Sequence, residues 1–265
     1  GWSLTPGFRF DWFDYTPKAS AEWEDNSGYN ELPPARSGHR FSPKLRAAYE
    51  ITPTAEIYAQ WAMGFKAPNV SELYHHYAKS SGMPTYEVLG NPNLKPETSQ
   101  GIEVGMNFGD ASFGGHVGGF YNRYKDFIDT VNITPPNPGY MITQQAVNID
   151  RVEISGIEAR VHKYFDNGFH VRGAVAFARG KNLDTGLLLD SVAPLKVVAG
   201  VGYSAETWGA EVSAIAVARV PDNSEAVFKA PGYGIVNVSG YWEPEQIEGL
   251  RIQGGVNNLF DKTYF

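Results

Sequence analysis

Three features of the sequence predict an all-β fold, an antiparallel transmembrane β-barrel or a portion of one. Apolar residues recur at every second position through most of the chain, the period of a strand with one greasy and one wet face. No uninterrupted apolar run approaches the roughly 20 residues a spanning helix needs, whereas a barrel strand crosses with about 9 to 11. The connections between strands alternate between short and long, which sorts them onto two rims.

The elements follow in order: strands over Trp2 to Tyr15, Phe41 to Ile51, Ala55 to Phe65, Thr98 to Phe108, Ser112 to Ile128, Thr143 to Tyr164, Gly168 to Arg179, Leu195 to Ser204, Trp208 to Val220, Gly232 to Trp242 and Leu250 to Asn257. The third shows the pattern well: Ile57, Ala59, Trp61, Met63 and Phe65 alternate with Glu56, Tyr58, Gln60, Ala62 and Gly64. In the fourth, Ile102, Val104, Met106 and Phe108 oppose Gly101, Glu103, Gly105 and Asn107. Val212, Ala214 and Ala216 likewise oppose Glu211 and Ser213. Strands with one polar face belong to antiparallel sheets, not to buried parallel ones. The parity slips in Ser112 to Ile128 and Thr143 to Tyr164, as it would at β-bulges.

The short connections are Thr52 to Thr54, Gly109 to Ala111, Phe165 to Asn167, Ala205 to Thr207 and Glu243 to Gly249; the long ones are Thr16 to Arg40, Lys66 to Glu97, Asp129 to Ile142, Gly180 to Pro194 and Pro221 to Pro231. This predicts short periplasmic turns and long extracellular loops. A soluble sandwich alternates too, but has no reason to sort its loops, and connections of 25 and 32 residues would be exceptional there without a function. Aromatics near strand ends, such as Trp12, Phe13, Tyr15, Trp208 and Trp242, suit interfacial girdles.

Composition narrows the function. The 265 residues are 42% hydrophobic and 19% charged, below the roughly 25% charge of soluble domains. With 22 basic and 29 acidic residues, net charge -7, a nucleic-acid partner is disfavoured, since phosphate neutralisation needs excess Lys and Arg. The absence of Cys excludes disulfide scaffolds and thiolate metal sites. There is no Gly-x-Ser-x-Gly elbow, phosphate-binding Gly loop or His-Glu-x-x-His motif, which argues against an enzyme, although a barrel hydrolase with its catalytic groups at the rim is an alternative. The chain starts at Gly1 without a leader-like segment, which suggests a processed product or a fragment.

Four stretches resemble TonB-dependent outer-membrane receptors. Phe65-Lys66-Ala67-Pro68-Asn69-Val70-Ser71-Glu72-Leu73-Tyr74 and Asn91-Pro92-Asn93-Leu94-Lys95-Pro96-Glu97-Thr98 are similar to that family's paired boxes, and the runs Phe120 to Ile128 and Val256 to Tyr264 resemble later segments of its barrel. The resemblance implies a Gram-negative outer-membrane receptor whose barrel has 22 strands around an N-terminal plug on which TonB pulls. No stretch here resembles the plug or the TonB box, and the family pattern continues beyond the last box into a final strand. The expectation is one partial barrel domain over 1–265, about 11 of the 22 strands, bounded by lipid and with two open edges that lipid cannot satisfy.

Within that family the reading is a haem or haemoprotein receptor, whose sequences the run Val147 to Gly156 also resembles, with a ferric-siderophore receptor as the alternative. In the haem group the loop between the boxes carries an iron-binding histidine; here His75 and His76 follow Tyr74 in that loop. Neutral imidazole and tyrosinate are both axial ligands for haem iron, so the candidates are His75 and His76, with Tyr74, Tyr77 and Tyr86 as substitutes. Haem would be the transported ligand, with no intrinsic cofactor. The boxes themselves, Phe65, Lys66, Ala67 and Pro68 at the start and Asn91, Pro92, Asn93 and Leu94 at the finish, read as shaping the loop, because Pro stiffens the chain and restricts its predecessor. A siderophore would instead meet aromatic and Arg side chains. His116, His162 and His170 fall on strands and read as lumen-facing, His39 as solvated at the end of a loop, and Pro135-Pro136-Asn137-Pro138-Gly139 as a loop breaker that a carrier protein could touch.

Overall fold

The computed structural model describes residues 1–18, 32–226 and 228–264. In chain order it comprises β1 (Trp2–Tyr15), β2 (Arg36–Thr52), β3 (Ala55–Lys66), α1 (Val70–Tyr74), β4 (His76–Lys79), β5 (Tyr86–Leu89), β6 (Glu97–Gly109), β7 (Phe113–Asn132), β8 (Ile142–Tyr164), β9 (Phe169–Asn182), β10 (Lys196–Ser204), β11 (Trp208–Val217), β12 (Tyr233–Trp242) and β13 (Ile252–Val256). One antiparallel meander runs β1-β2-β3-β6-β7-β8-β9-β10-β11-β12-β13, with β4 and β5 off that path. These eleven path strands are the predicted ones. Most of the predicted connection Thr16 to Arg40 lies at 19–31, outside the described residues.

Register shows why period-two alternation reads as a wall. Tyr49, Ile57, Met106, Val117, Ala159, Val175, Val197 and Ala216 are successive cross-strand partners, and so are Val171, Val201, Val212, Val238 and Val256. Cross-strand partners share a face, so these rows form a continuous apolar band. Large side chains on it are open to the surroundings, with Trp2, Phe8 and Trp12 each more than 70% exposed. An aqueous surface does not tolerate a patch of that size; the hydrocarbon of a bilayer requires it. The other face carries Arg46–Glu56, His116–Glu158 and Arg172–Glu211, with Tyr58 donating to Glu103.

Aromatic rings mark the short-turn rim. Trp2 and Tyr49 lie 4.9 Å apart, Phe169 and Tyr203 5.0 Å, Tyr203 and Trp208 5.3 Å, and Trp208 pairs across strands with Trp242. Of the predicted outer-rim rings Trp12 is on the apolar face, whereas Phe13 and Tyr15 alternate with it and share the parity of Arg9 and Asp11; Tyr15 packs towards the loops instead.

Two expectations need correction. The parity slip in β7 and β8 is not a register-shifting bulge: Lys125 pairs Arg151 and Phe127 pairs Ile149, the same register on both sides of Asp126. Asp126 has φ 55°, a left-handed conformation that Asp tolerates better than most residues. Beyond it the faces change phase: Tyr124 and Val152 pack with Phe127, Ile149 and Val147, while Ile128 and Ala146 join a different cluster. From here β7 leaves β6 and continues with β8 as a ribbon that β5 joins along Ile142 to Gln145. Second, His39 is not in a loop but on β2, opposite Trp12.

Candidate functional site

The long connection between β3 and β6 folds into a short helix and two short strands. Asn69 caps α1: its side-chain oxygen accepts from the Glu72 N–H at 2.8 Å, and Glu72 reaches back to the Asn69 N–H at 2.8 Å. This reciprocal arrangement satisfies two orphan donors, and the Lys66 ammonium holds the same carboxylate at 2.9 Å. The sequence carried the signal in Asn69-x-x-Glu72. Leu73, fully buried, enters a cluster with Leu94, Ile128 and Ala146, against which Tyr15 and Tyr74 pack.

Both boxes are built into this core. Pro68 is fully buried, the Phe65 carbonyl accepts from Arg9 at 2.8 Å, and the Phe65 ring lies 6.3 Å from Phe13; Ala67 links them to the cap. Asn91 donates from its backbone to the Glu72 carbonyl at 2.8 Å and from its side chain to the Ala146 carbonyl at 3.1 Å. Its own oxygen accepts from the Asn93 N–H at 3.0 Å. The Pro92 carbonyl accepts from Arg36 Nε at 2.7 Å, and Leu94 is 3% exposed. The boxes thus fix where the loop leaves and rejoins the wall.

Between them, β4 and β5 form a hairpin, and β5 pairs in parallel with β8 through Tyr86 to Leu89 against Ile142 to Gln145. Since Gln144 and Gln145 also pair with β7, the loop reaches the edge of β8 opposite β7. Gly90 allows the return: a Cβ there would sit 2.7 Å from the Tyr74 nitrogen and 2.8 Å from that of His75.

Strand parity separates the candidate residues. Lys79 pairs Tyr86 and Tyr77 pairs Val88, so Tyr77, Lys79, Tyr86 and Val88 share one face and His76, Ala78, Glu87 and Leu89 the other. On the first, His75 and Tyr77 stack at 6.4 Å and 4°, Tyr77 and Tyr86 lie 5.6 Å apart, and the Lys79 ammonium is 5.9 Å from the Tyr86 ring centre. His75 and Tyr77 are exposed. His76 is half-buried, with Nε2 3.2 Å from Glu87 Oε1. Tyr74 is apart from the row and donates to the Pro34 carbonyl at 3.1 Å. Burial raises the Tyr74 phenol above its ordinary value, and hydrogen bonding with Tyr77 is the largest cause raising that of Tyr86. Both shifts oppose formation of a tyrosinate. Lys79 and the tyrosine row were missed as a unit by sequence reading; the alternation from His75 to Lys79 was the available signal.

Two of the strand histidines are hydrogen-bonded: His116 Nδ1 to Asn107 at 2.9 Å and His162 Nε2 to the Asp110 carbonyl at 3.0 Å. His170 Nε2 lies 3.5 Å from Glu211. Among the described residues no set of three or more His, Cys, Asp or Glu side chains could hold a metal ion.

A membrane-facing meander with a folded, ring-bearing loop on its long-loop rim defines an outer-membrane receptor barrel, and the chain belongs to the TonB dependent receptor-like, beta-barrel family, whose model matches residues 1–259. The barrel wall accordingly lies in the bacterial outer membrane and has a non-enzymatic role. A probable hemoglobin and hemoglobin-haptoglobin-binding protein 4 of Haemophilus influenzae is 25% identical over 303 residues, covering 98% of this chain and 29% of that relative. The vitamin B12 transporter BtuB of Photobacterium profundum is 28% identical, covering 98% and 39%, and the hemin receptor of Yersinia enterocolitica 29% identical, covering 83% and 35%. The chain thus spans between 29% and 39% of the length of these curated relatives. Among solved structures, the copper transporter OprC superposes with TM-score 0.80 at 20% identity over all of this chain and 41% of its own. A variant of the ferric enterobactin receptor PfeA of Pseudomonas aeruginosa gives 0.67 at 19% identity over 99% and 38%. These likenesses establish the shared fold.

Proposed function

We propose that the chain is the wall of a receptor for an iron complex, which binds at the outer loops and moves inward when TonB acts on a plug domain of the intact protein. The observation that carries this is the row His75, Tyr77 and Tyr86 with Lys79 at its end, held at the long-loop rim by a hairpin whose own backbone is paired to the wall. Rings and a cation suit a ferric siderophore, an aryl-bearing anionic chelate recognised by stacking and charge without iron ligation by protein. His76 and Tyr74, engaged with Glu87 and Pro34, contribute to holding the site.

Haem, free or from a carrier protein, is the second reading. Its support is the exposed imidazole of His75, a standard axial ligand, together with relatives named for hemin and hemoglobin. In this reading His75 binds iron, and Tyr77 and Tyr86 stack on or flank the porphyrin.

Titration of the full-length receptor with haemin and with a ferric catecholate separates the readings. The siderophore reading expects chelate binding that falls at least tenfold in Tyr77→Ala/Tyr86→Ala, about 1.4 kcal/mol or more, and survives His75→Ala. The haem reading expects a haem absorption spectrum that changes in His75→Ala and is unaltered in His76→Ala. Binding of neither ligand would remove both.

A further inference from the structure

We infer that Glu87 and Asn137 are positioning residues, which clamp the ring-bearing hairpin to the tip of the β7–β8 loop and thereby set the affinity of the proposed site; the inference rests on that reading of the site. Glu87 is 7% exposed and lies on the hairpin face opposite the rings. A carboxylate so removed from water needs partners for its oxygens, and Glu87 has one for each: His76 Nε2 at 3.2 Å from Oε1, and the Asn137 side-chain amide donating to Oε2 at 2.7 Å.

Asn137 is itself fixed. Its N–H donates to Thr143 Oγ1 at 2.8 Å, and Thr143 is 1% exposed on β8, directly paired with Glu87. A second tie lies alongside, where the Met141 N–H reaches the Thr85 carbonyl at 3.0 Å. The clamp therefore joins β4, β5 and the segment between β7 and β8 through one buried acidic group. Apolar contacts tolerate sliding, whereas hydrogen bonds to a carboxylate fix direction, so this bridge determines how Tyr77 and Tyr86 present their faces. It also gives the Pro135 to Gly139 stretch a role in the site that its Pro content alone did not suggest.

The test uses the full-length receptor with haemin and a ferric catecholate as probes. Glu87→Leu leaves the Asn137 amide and the His76 ring without an acceptor, and in Asn137→Asp two carboxylates face each other, so each single variant is expected to weaken binding of whichever probe the wild type takes by about tenfold, the effect of losing a hydrogen bond to a charged group. The exchanged pair Glu87→Gln/Asn137→Asp restores both bonds, the Gln oxygen accepting from His76 and its nitrogen donating to Asp, and is expected to recover wild-type affinity. Added to Tyr77→Ala/Tyr86→Ala, Asn137→Asp should cost no further affinity, since residues acting through one another are not additive. Single variants that bind like wild type overturn the inference alone, as does an exchanged pair that stays weak, or a loss of the same size when the rings are absent. A wild type that binds neither probe overturns the site reading and the clamp with it.

Discussion

At the residue scale, much of the loop rests on small, directional features. Replacing Gly90 with Ala would drive a Cβ into the Tyr74 and His75 backbone nitrogens, atoms that cannot rotate away. Gly90→Ala is therefore expected to detach the hairpin and reduce ligand binding, while the heat-dependent electrophoretic mobility of the barrel stays that of wild type. Leu73→Ala empties a fully buried site and should cost about 2–5 kcal/mol of local stability, read as faster amide exchange across residues 70–94 with the wall strands unaffected. On the opposite rim, Asp110 accepts from the backbone N–H groups of Phe113 and Ser112 and from the Ser112 hydroxyl, and these bonds, that of Phe113 first, hold its carboxyl below the ordinary 3.8. A depressed acid stabilises the turn above its unfolded value and loses that contribution as pH falls through the folded one. Asp110→Asn should therefore lower resistance to unfolding at pH 7 and make little difference once both forms are neutral in strong acid.

At the element scale, alternation explains most strands because each residue has one wall face to satisfy. It fails where an element has two buried sides. Beyond Asp126 the ribbon of β7 and β8 packs on both faces, and the left-handed residue changes which parity meets which cluster. Asp126→Val should destabilise the ribbon by about 1–2 kcal/mol, the cost of a left-handed conformation in an ordinary residue, whereas Asp126→Gly should be tolerated; urea unfolding of the refolded receptor measures both. The wall itself uses close cross-strand fits, as where Tyr58 lies over Gly105, whose Cβ would come within 2.8 Å of the ring. The hairpin of β4 and β5 escaped sequence reading because four-residue strands present too few alternations to stand out from a loop.

At the scale of the whole molecule, the described sheet is open: β1 pairs only with β2, and β13 only with β12. Unpaired backbone groups at two edges are costly in lipid and template association in water. The 265-residue chain expressed alone is accordingly expected to associate in detergent and to show no heat-modifiable barrel on electrophoresis, and to acquire one when the remainder of its receptor is supplied. Apolar rows on one face and paired charges on the other also explain the low charge of the sequence: within the wall, every second residue of a strand faces hydrocarbon.

The sequence by itself determined the eleven strands, their short and long connections and the membrane face, because a strand in a wall obeys a local rule that its own residues state. Four motif stretches in order were enough to suggest the family. Only the tertiary structure decided that the long loop is folded, that His75 faces outward while His76 turns to Glu87, and that Asn137, distant in sequence, reaches the same carboxylate. Adjacent histidines are chemically equivalent on paper; they differ once strand parity and a partner from another loop assign each to a side.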